Sequence, residues 1–332
     1  MAVSIKDVAR QAGVSLGTVS NVLNRPDQVS PATRERVLRA IAETGYVRND
    51  SARQLRDGRS RMLAMVVLDM TNPFFADVAH GAEEVAATHN ATLMLCNSGD
   101  DPVRERRHLE LIAEQRVRGV LITPVDGDGE RALESLSAQG VPSVLVDRGS
   151  GRTDRCSVSV DDELGGRLAA RHLLELGHRH IGFVGGPMSI TQVADRRRGA
   201  ATEAQAAGAH LDVIDTEALT FEAGRDATSA LLDHGDRPTA LFCANDLLAL
   251  GVLQALTSRG KSVPGDMAVV GYDDINFAAS AAVPLTSVRQ PREELGRAAA
   301  RLLLEEADGV VTHRHQHVVF FPELIARRST LG

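Results

Sequence analysis

The chain has 332 residues, 43% of them hydrophobic and 3% aromatic, with a formal net charge of −7. That length accommodates a small head and a large two-lobed body. No apolar stretch is long enough to span a bilayer and Met1–Arg10 lacks the apolar run of a secretory signal, which excludes a membrane partner and predicts a cytoplasmic protein.

The first predicted element starts at Ser4, a helix cap with Asp7 placed near the positive end of the helix, and stops at Gly13, where a left-handed turn suits glycine. Ser15 caps a second helix, whose inner face carries Val19, Val22 and Leu23 at three- and four-residue spacing. Ser30-Pro31 starts a third, with Val37, Leu38 and Ile41 as its apolar stripe and Gly45 as its stop. Two short helices joined at a glycine turn form a helix-turn-helix, whose second helix can lie in the major groove. Leu16, Gly17, Thr18, Ser20 and Asn21 face outward there, and none is acidic, as a helix facing phosphates requires. Residues 1–61 hold eleven Lys/Arg and six Asp/Glu (11 − 6 = +5), leaving −7 − 5 = −12 for the rest. A basic head on an acidic body suits a protein whose head alone touches a polyanion.

The stretch from Ser4 to Tyr46 closely resembles the DNA-binding head of the LacI/GalR family of bacterial transcriptional regulators. The match runs through Ile5-Lys6-Asp7-Val8-Ala9, Gly13-Val14-Ser15, Thr18-Val19-Ser20, Val22-Leu23-Asn24 and Val29-Ser30 to Gly45-Tyr46. The resemblance implies a double-stranded DNA operator as partner, contacted from the head by Ser4, Leu16, Gly17, Thr18, Ser20, Asn21 and Asn24. The charged stretch Val47–Ser60 reads as a hinge, in which 51–56 is too short for a helix stable on its own. In the resembled family this segment orders on specific DNA and a leucine from each subunit wedges into the minor groove. Leu55 occupies that position, with Ala52 and Arg56 beside it.

From Met62 the pattern changes to short apolar runs alternating with helical stretches. Predicted strands are Met62–Leu68, Thr92–Asn97, Gly119–Thr123 and Ser143–Val146, with helices Phe74–Thr88, Val103–Arg116 and Glu130–Ala138 between them. After about Val160 the pattern restarts, with strands His180–Val184, Ala240–Cys243 and Met267–Gly271. Its helices are Leu164–Leu176, Arg196–Ala207, Arg225–Leu232 and Asp246–Ser258. Two doubly wound parallel sheets place a cleft at the carboxyl ends of their strands. The whole is expected to be a small all-α head plus an α/β two-lobed body resembling a type-I periplasmic binding protein.

The expected domains are a head at 1–48, a hinge at 49–61 and a body at 62–332. The resemblance implies crossings between lobes near Val160, Arg289 and Phe320. Lobe 1 is then about 62–160 and 290–319, with helix Glu293–Glu306 returning to it, and lobe 2 about 161–289 and 320–332. Asp, Asn and Arg at strand ends suit a polyhydroxylated ligand, because carboxylates accept from hydroxyls and Arg donates a planar fork. The resemblance maps effector contacts onto Phe74, Phe75, Asp147, Arg196, Phe221, Asn245 and Asp273. Capping or packing is the competing role, most seriously for Asp246 and Asp274, and Arg197 and Arg198 read as solvated.

Cys96, Cys156 and Cys243 are odd in number and lack metal-ligand spacing, so they read as small buried residues in a reducing compartment. His313, His315 and His317 alternate in a stretch read as a solvated strand without an evident fourth ligand, so no metal and no cofactor are expected. The Gly-rich run at 182–187 lacks the Lys-Ser/Thr ending of a phosphate loop. The predicted protein is a ligand-responsive regulator, expected to repress from a near-palindromic operator as a homodimer, since the chain has no leucine-heptad tail after its last strand. Its small effector is expected to be a sugar or sugar derivative, with a nucleoside or purine second. A solute-binding protein is the alternative, opposed by the absent export signal and the basic head; an enzyme would need a nucleophile or metal that the sequence does not supply.

Overall fold

The computed structural model describes residues 3–46, 60–125, 129–149, 153–233, 237–309 and 313–332, with backbone alone at 129–132. The chain falls into two compact units, Met1–Ser60 and Arg61–Gly332.

The first unit packs three helices, α1 (Ile5–Ala12), α2 (Leu16–Asn24) and α3 (Pro31–Thr44), with a short 3-10 turn at Pro26–Gln28. Gly13 takes φ 63° at the end of α1, which lets the chain reverse within three residues into α2. Val8, Ala9, Ala12, Val19, Val22, Val37 and Ala40 form its buried core. Leu38, expected on the inner stripe of α3, is instead 47% exposed. The apolar face turns through Val37 and Ala40, three residues apart, and Leu38 lies off it.

The second unit holds two six-stranded sheets. The first contains β1 (Met62–Val67), β2 (Thr92–Asn97), β3 (Gly119–Ile122), β4 (Ser143–Val146), β5 (Cys156–Val160) and β11 (His317–Phe320), in the order β11-β5-β4-β3-β1-β2, all parallel. Alternation on β1 sends Leu63, Met65 and Val67 to one face and Ala64 and Val66 to the other. The first face is covered by α4 (Pro73–Thr88) and α12 (Arg292–Ala307), the second by α5 (Pro102–Glu114) and α6 (Gly129–Ala138).

The second sheet contains β6 (His180–Gly185), β7 (His210–Asp215), β8 (Ala240–Cys243), β9 (Ala268–Asp273), β10 (Thr286–Arg289) and β12 (Glu323–Ile325). Its order is β12-β10-β9-β8-β6-β7, parallel except for β12 against β10. Its helices are α7 (Asp162–Glu175), α8 (Thr191–Ala206), α9 (Phe221–Leu232), α10 (Asp246–Ser258), the short α11 (Asn276–Ser280) and α13 (Arg328–Leu331). The chain passes between sheets after Val160, after Arg289 and after Phe320. The first sheet thus extends to Phe320, one residue past the boundary drawn from the sequence.

Helices α7 and α8 approach closely at Gly166 and Gly199. A Cβ on Gly166 would stand 2.0 Å from the Arg196 carbonyl oxygen, and one on Gly199 2.0 Å from that of Glu163. This contact presses the start of α7 against the turn of α8 that carries Arg196. No helix among the described residues is long and apolar enough to cross a membrane.

Candidate functional site

In the first unit, Ser15 Oγ accepts from the Thr18 amide at 3.1 Å and caps α2. Val19 and Val22 anchor the helix from behind. On the other side Leu16 is 44% exposed. Gly17, Asn21 and Asn24 are exposed as well, and Thr18 and Ser20 half-buried. Asn24 Nδ2 is tied back to its own helix, donating to Ser20 O at 2.7 Å. Ser4 donates from its amide (3.0 Å) and its hydroxyl (2.7 Å) to Asp7 Oδ2, and these bonds hold the Asp7 carboxyl below its usual range. Lys6, Arg10, Arg25, Arg34, Arg36 and Arg39 are all exposed. Ala52, Leu55 and Arg56 lie outside the described residues.

In the second unit a cavity opens between the lobes, at the ends of the strands where ligands of two-lobed α/β folds bind. Phe74, Phe75, Asp147, Arg196, Asn245 and Asp273 all line it, so six of the seven expected effector contacts converge. They reach it from five separate stretches of the chain. Phe74 and Phe75 open α4 behind Asn72, whose side chain accepts from the Phe74 amide at 3.0 Å. Their rings meet edge to face, centroids 5.0 Å apart. Asp147 follows β4 at φ 55° and Asp273 ends β9 at φ 101°. Both conformations turn the chain sharply at the strand end; aspartate tolerates the first, and the second is a strained one for any residue with a Cβ.

Phe221 is not among the residues that line the cavity; Ala218, Leu219 and Thr220 are. Thr220 caps α9, accepting from the Ala223 amide at 3.2 Å, so the helix begins at Phe221. The Phe221 carbonyl faces α10, where a Cβ on Gly251 would stand 2.0 Å from it.

The polar groups of the cleft are buried and mutually bonded. Arg196 donates from Nε to Asp162 Oδ1 at 2.7 Å and from Nη1 to the Ala244 carbonyl at 2.8 Å, and its guanidinium stacks 3.7 Å over the Tyr272 ring. Burial opposes its charge, but Asp162, Tyr272, Asp273 and Asp147 outweigh that and hold it protonated. Burial raises the carboxyl pKa of Asp147, Asp162 and Asp273, most strongly at Asp147, where repulsion from Asp162 adds to it. Asp147 Oδ1 is buried without a hydrogen-bond partner among the described residues. Asn245 caps α10, accepting from the Leu248 amide at 2.9 Å, and donates to Leu219 O at 3.0 Å, so capping and lining coexist in one side chain. Asp246 and Asp274 are packing groups: Asp246 accepts from Ser287 Oγ (2.6 Å) and the Ile275 amide (2.8 Å), and Asp274 pairs with Arg289 (2.7 Å) and Arg327 (2.6 Å). Arg197 and Arg198 are exposed.

Side chains of both lobes bond across the cleft. Gln192 Nε2 on α8 donates to the Asp147 carbonyl at 2.5 Å and to its carboxylate at 3.1 Å. Asn72 Nδ2 donates across the other way to Asp273 Oδ2 at 3.3 Å. Arg292 adds a bridge at the base, bonding Asp77 at 2.8 Å and the Asp273 carbonyl at 2.5 Å. Sequence reasoning missed Gln192, Asp162, Tyr272 and Arg292. Gln192 was findable, because it stands one helical turn before Arg196 and so shares its face; Asp162 and Tyr272 act only through the approach of α7 to β9.

A basic helix-turn-helix unit and a two-lobed unit with a polar cavity between its lobes define a DNA-reading protein that also holds a small ligand. Residues 4–49 match the family model for bacterial regulatory proteins of the lacI family, and residues 170–330 that for a periplasmic binding protein-like domain. The chain is 37% identical over 339 residues to the HTH-type transcriptional repressor PurR of Haemophilus influenzae (strain PittEE), covering 98% of each. It superposes on the Lac repressor dimer bound to operator and the anti-inducer ONPF with a TM-score of 0.86 at 28% identity, covering 100% of each chain. A complex of the transcriptional regulator CelR with cellobiose matches with a TM-score of 0.72 at 35% identity, covering 98% of this chain and 99% of that one. The chain belongs to the LacI family of bacterial regulatory proteins: it is a DNA-binding, effector-responsive transcriptional regulator and not an enzyme.

Proposed function

We propose that this regulator represses transcription in the cytoplasm as a homodimer on a near-palindromic operator, and that its cleft takes a carbohydrate. The observation that carries the ligand class is the set of buried carboxylates around the cavity, Asp147 and Asp273 above all. Carboxylates accept from ligand hydroxyls, and a sugar presents many. Arg196 is held by Asp162 and the Ala244 carbonyl, so it serves the ligand as a fixed charge that orients these acceptors. A stacked purine or nucleoside is the second reading; it loses support because Phe221, the expected second stacking face, does not line the cavity.

On the DNA side, Leu16, Gly17, Thr18, Ser20 and Asn21 meet base edges and backbone in the major groove, while Ser4 and Asn24 flank them. Leu55, with Ala52 and Arg56 beside it, wedges into the minor groove at the operator centre. Ligand changes lobe closure by competing with the Gln192–Asp147 and Asn72–Asp273 bonds, and operator affinity follows. By linkage, operator must change ligand affinity by the same factor.

Selection of random duplex DNA by the full-length protein at two salt concentrations tests the operator reading. A near-palindrome with a flexible pyrimidine–purine step at its centre is the expected product; sequence-blind binding that vanishes at the higher salt would reject it. On the recovered site, Leu55→Ala should lose specific binding far more than nonspecific binding. Cellobiose, ribose and guanine are then added in turn. A sugar should shift operator affinity about 5–150-fold, the usual range of allosteric coupling; a shift with guanine alone would favour the second reading.

A further inference from the structure

Away from the cleft, one edge of the first sheet gathers four metal-ligating side chains of different chemistry. Cys156 opens β5, Glu306 lies in the last turn of α12, and His313 and His315 precede β11. One ligand atom from each lies within 4.8 Å of the other three. Cys156 Sγ stands 3.5 Å from His313 Nε2 and 3.8 Å from His315 Nδ1; Glu306 Oε2 stands 3.8 Å from each of the same two nitrogens. Zinc bonds of about 2.0–2.3 Å to nitrogen, oxygen and sulfur make a tetrahedron with edges of about 3.3–3.8 Å. Four of the six edges therefore already have the length a bound ion would impose.

Two further observations point to a ligand. Glu306 Oε2 is buried with no hydrogen-bond partner among the described residues, and so is His313 Nδ1. Buried polar atoms left so are costly, and a cation takes up the first directly. The surroundings also match what metal ligands need. Burial pushes the Cys156 thiol up, and the Gln316 amide, donating to Sγ at 3.3 Å, opposes that in part. Glu305 Oε2 stands 3.6 Å from His313 Nδ1, where a small movement lets it orient the ring from behind. Burial raises the Glu306 carboxyl, while His313 and Arg155 draw it back toward the charged form. The sequence reading lacked this set because its members are spread over 160 residues of chain and meet only through the β11–β5 pairing. His317, the third of the alternating histidines, turns away and bonds Ser157 Oγ at 2.8 Å.

We propose that Cys156, Glu306, His313 and His315 form a closed Zn²⁺ site that clamps the end of α12 to the outer strands of the first lobe. One thiolate, one carboxylate and two neutral imidazoles balance a divalent charge. The thiolate and imidazoles select zinc over magnesium or calcium. Four protein ligands leave no open position, which assigns the ion a structural role. His315, the most exposed member, lies on the side from which the ion enters.

The test is titration of metal-stripped, reduced full-length protein with Co²⁺, followed by displacement with Zn²⁺. One equivalent should give the intense visible absorption of tetrahedral cobalt with a thiolate-to-metal charge-transfer band, and Zn²⁺ should abolish both and raise the melting temperature. Cys156→Ala and His315→Ala should each lose the charge-transfer band or the tetrahedral spectrum. His315→Ala changes a partly exposed side chain, and its far-ultraviolet circular dichroism should match the parent. His210→Ala, in the separate surface group His180, His210 and Asp212, should leave the spectrum unchanged. Absence of the tetrahedral spectrum in the parent, persistence of the charge-transfer band in Cys156→Ala, or loss of the spectrum in His210→Ala would overturn the site.

Discussion

In the head, Leu16 and Asn21 stand exposed on a helix held from behind by Val19 and Val22. In the cleft, Asp147, Arg196 and Asp273 are no more than 5% exposed and are already bonded to protein. The head therefore presents a preformed, solvated surface, from which a large partner displaces water. The cleft instead presents a buried network in which most groups are bonded and Asp147 Oδ1 is not, so a ligand there would both complete and compete with it. A site of the second kind has two alternative sets of partners, which is what a switch needs.

The comparison breaks most sharply at Arg196. Arg196→Ala leaves Asp162 buried without its cation and should destabilise the second unit by about 3–5 kcal/mol. Urea unfolding of the full-length protein reads this as a lower midpoint for the large unit; a change below about 1 kcal/mol would show the network to be dispensable. Asn21→Ala should do the reverse. Stability should hold, while discrimination at one base pair of each half-site falls by about 1–3 kcal/mol, read by repeating the DNA selection. Equal weakening on all sequences would make Asn21 a phosphate contact.

Ser15→Ala removes the cap of α2 at about 1 kcal/mol. Amide exchange in α2 should accelerate about fivefold, with no change in the cleft helices. The smallest effect sharpens the cleft side. Burial, with repulsion from Asp162, raises the folded pKa of Asp147 above the ordinary carboxylate range, so its ionisation opposes folding. That penalty is absent below the unfolded pKa, grows as pH rises toward the folded pKa, and is constant above it. Asp147→Asn should therefore raise the melting temperature near pH 7 by about 2–4 °C, the worth of 1 kcal/mol in a domain of this size, and leave it unchanged near pH 3. A gain at pH 3 equal to that at pH 7 would exclude the carboxylate charge as the cause.

Local signals were read well where cap, stripe and stop lie within twenty residues. Ser15, Gly13 and Gly45 mark the head helices, and only Leu38 was placed on the wrong side. In the body, β5 was missed because Ser157 and Ser159 interrupt its apolar run, although every residue of the strand is buried. The hydroxyl of Ser157 is satisfied by His317 of the neighbouring strand, which no local pattern reveals. Strand β7 was missed because it is a half-exposed edge. Helix α8 starts at Thr191 behind Ile190, which supplies no side-chain cap, so the turn carrying Gln192 was not read as helical. Phe221 falls outside the cavity lining, while Thr220, which caps α9 just before it, lies within.

By itself the sequence determined the family, the three-helix head, two parallel-sheet lobes and six of the residues around the cleft. These follow from spacing along the chain, because hydrophobic period, caps and strand-end polar residues act over one or two helical turns. Tertiary structure alone decided which polar groups are already consumed, that Gln192 and Asn72 latch the cleft from opposite lobes, and that Cys156 and Glu306 meet His313 and His315. Those facts depend on crossings and strand order, which bring together side chains far apart in the chain, and pair energies there are set by burial and distance in space.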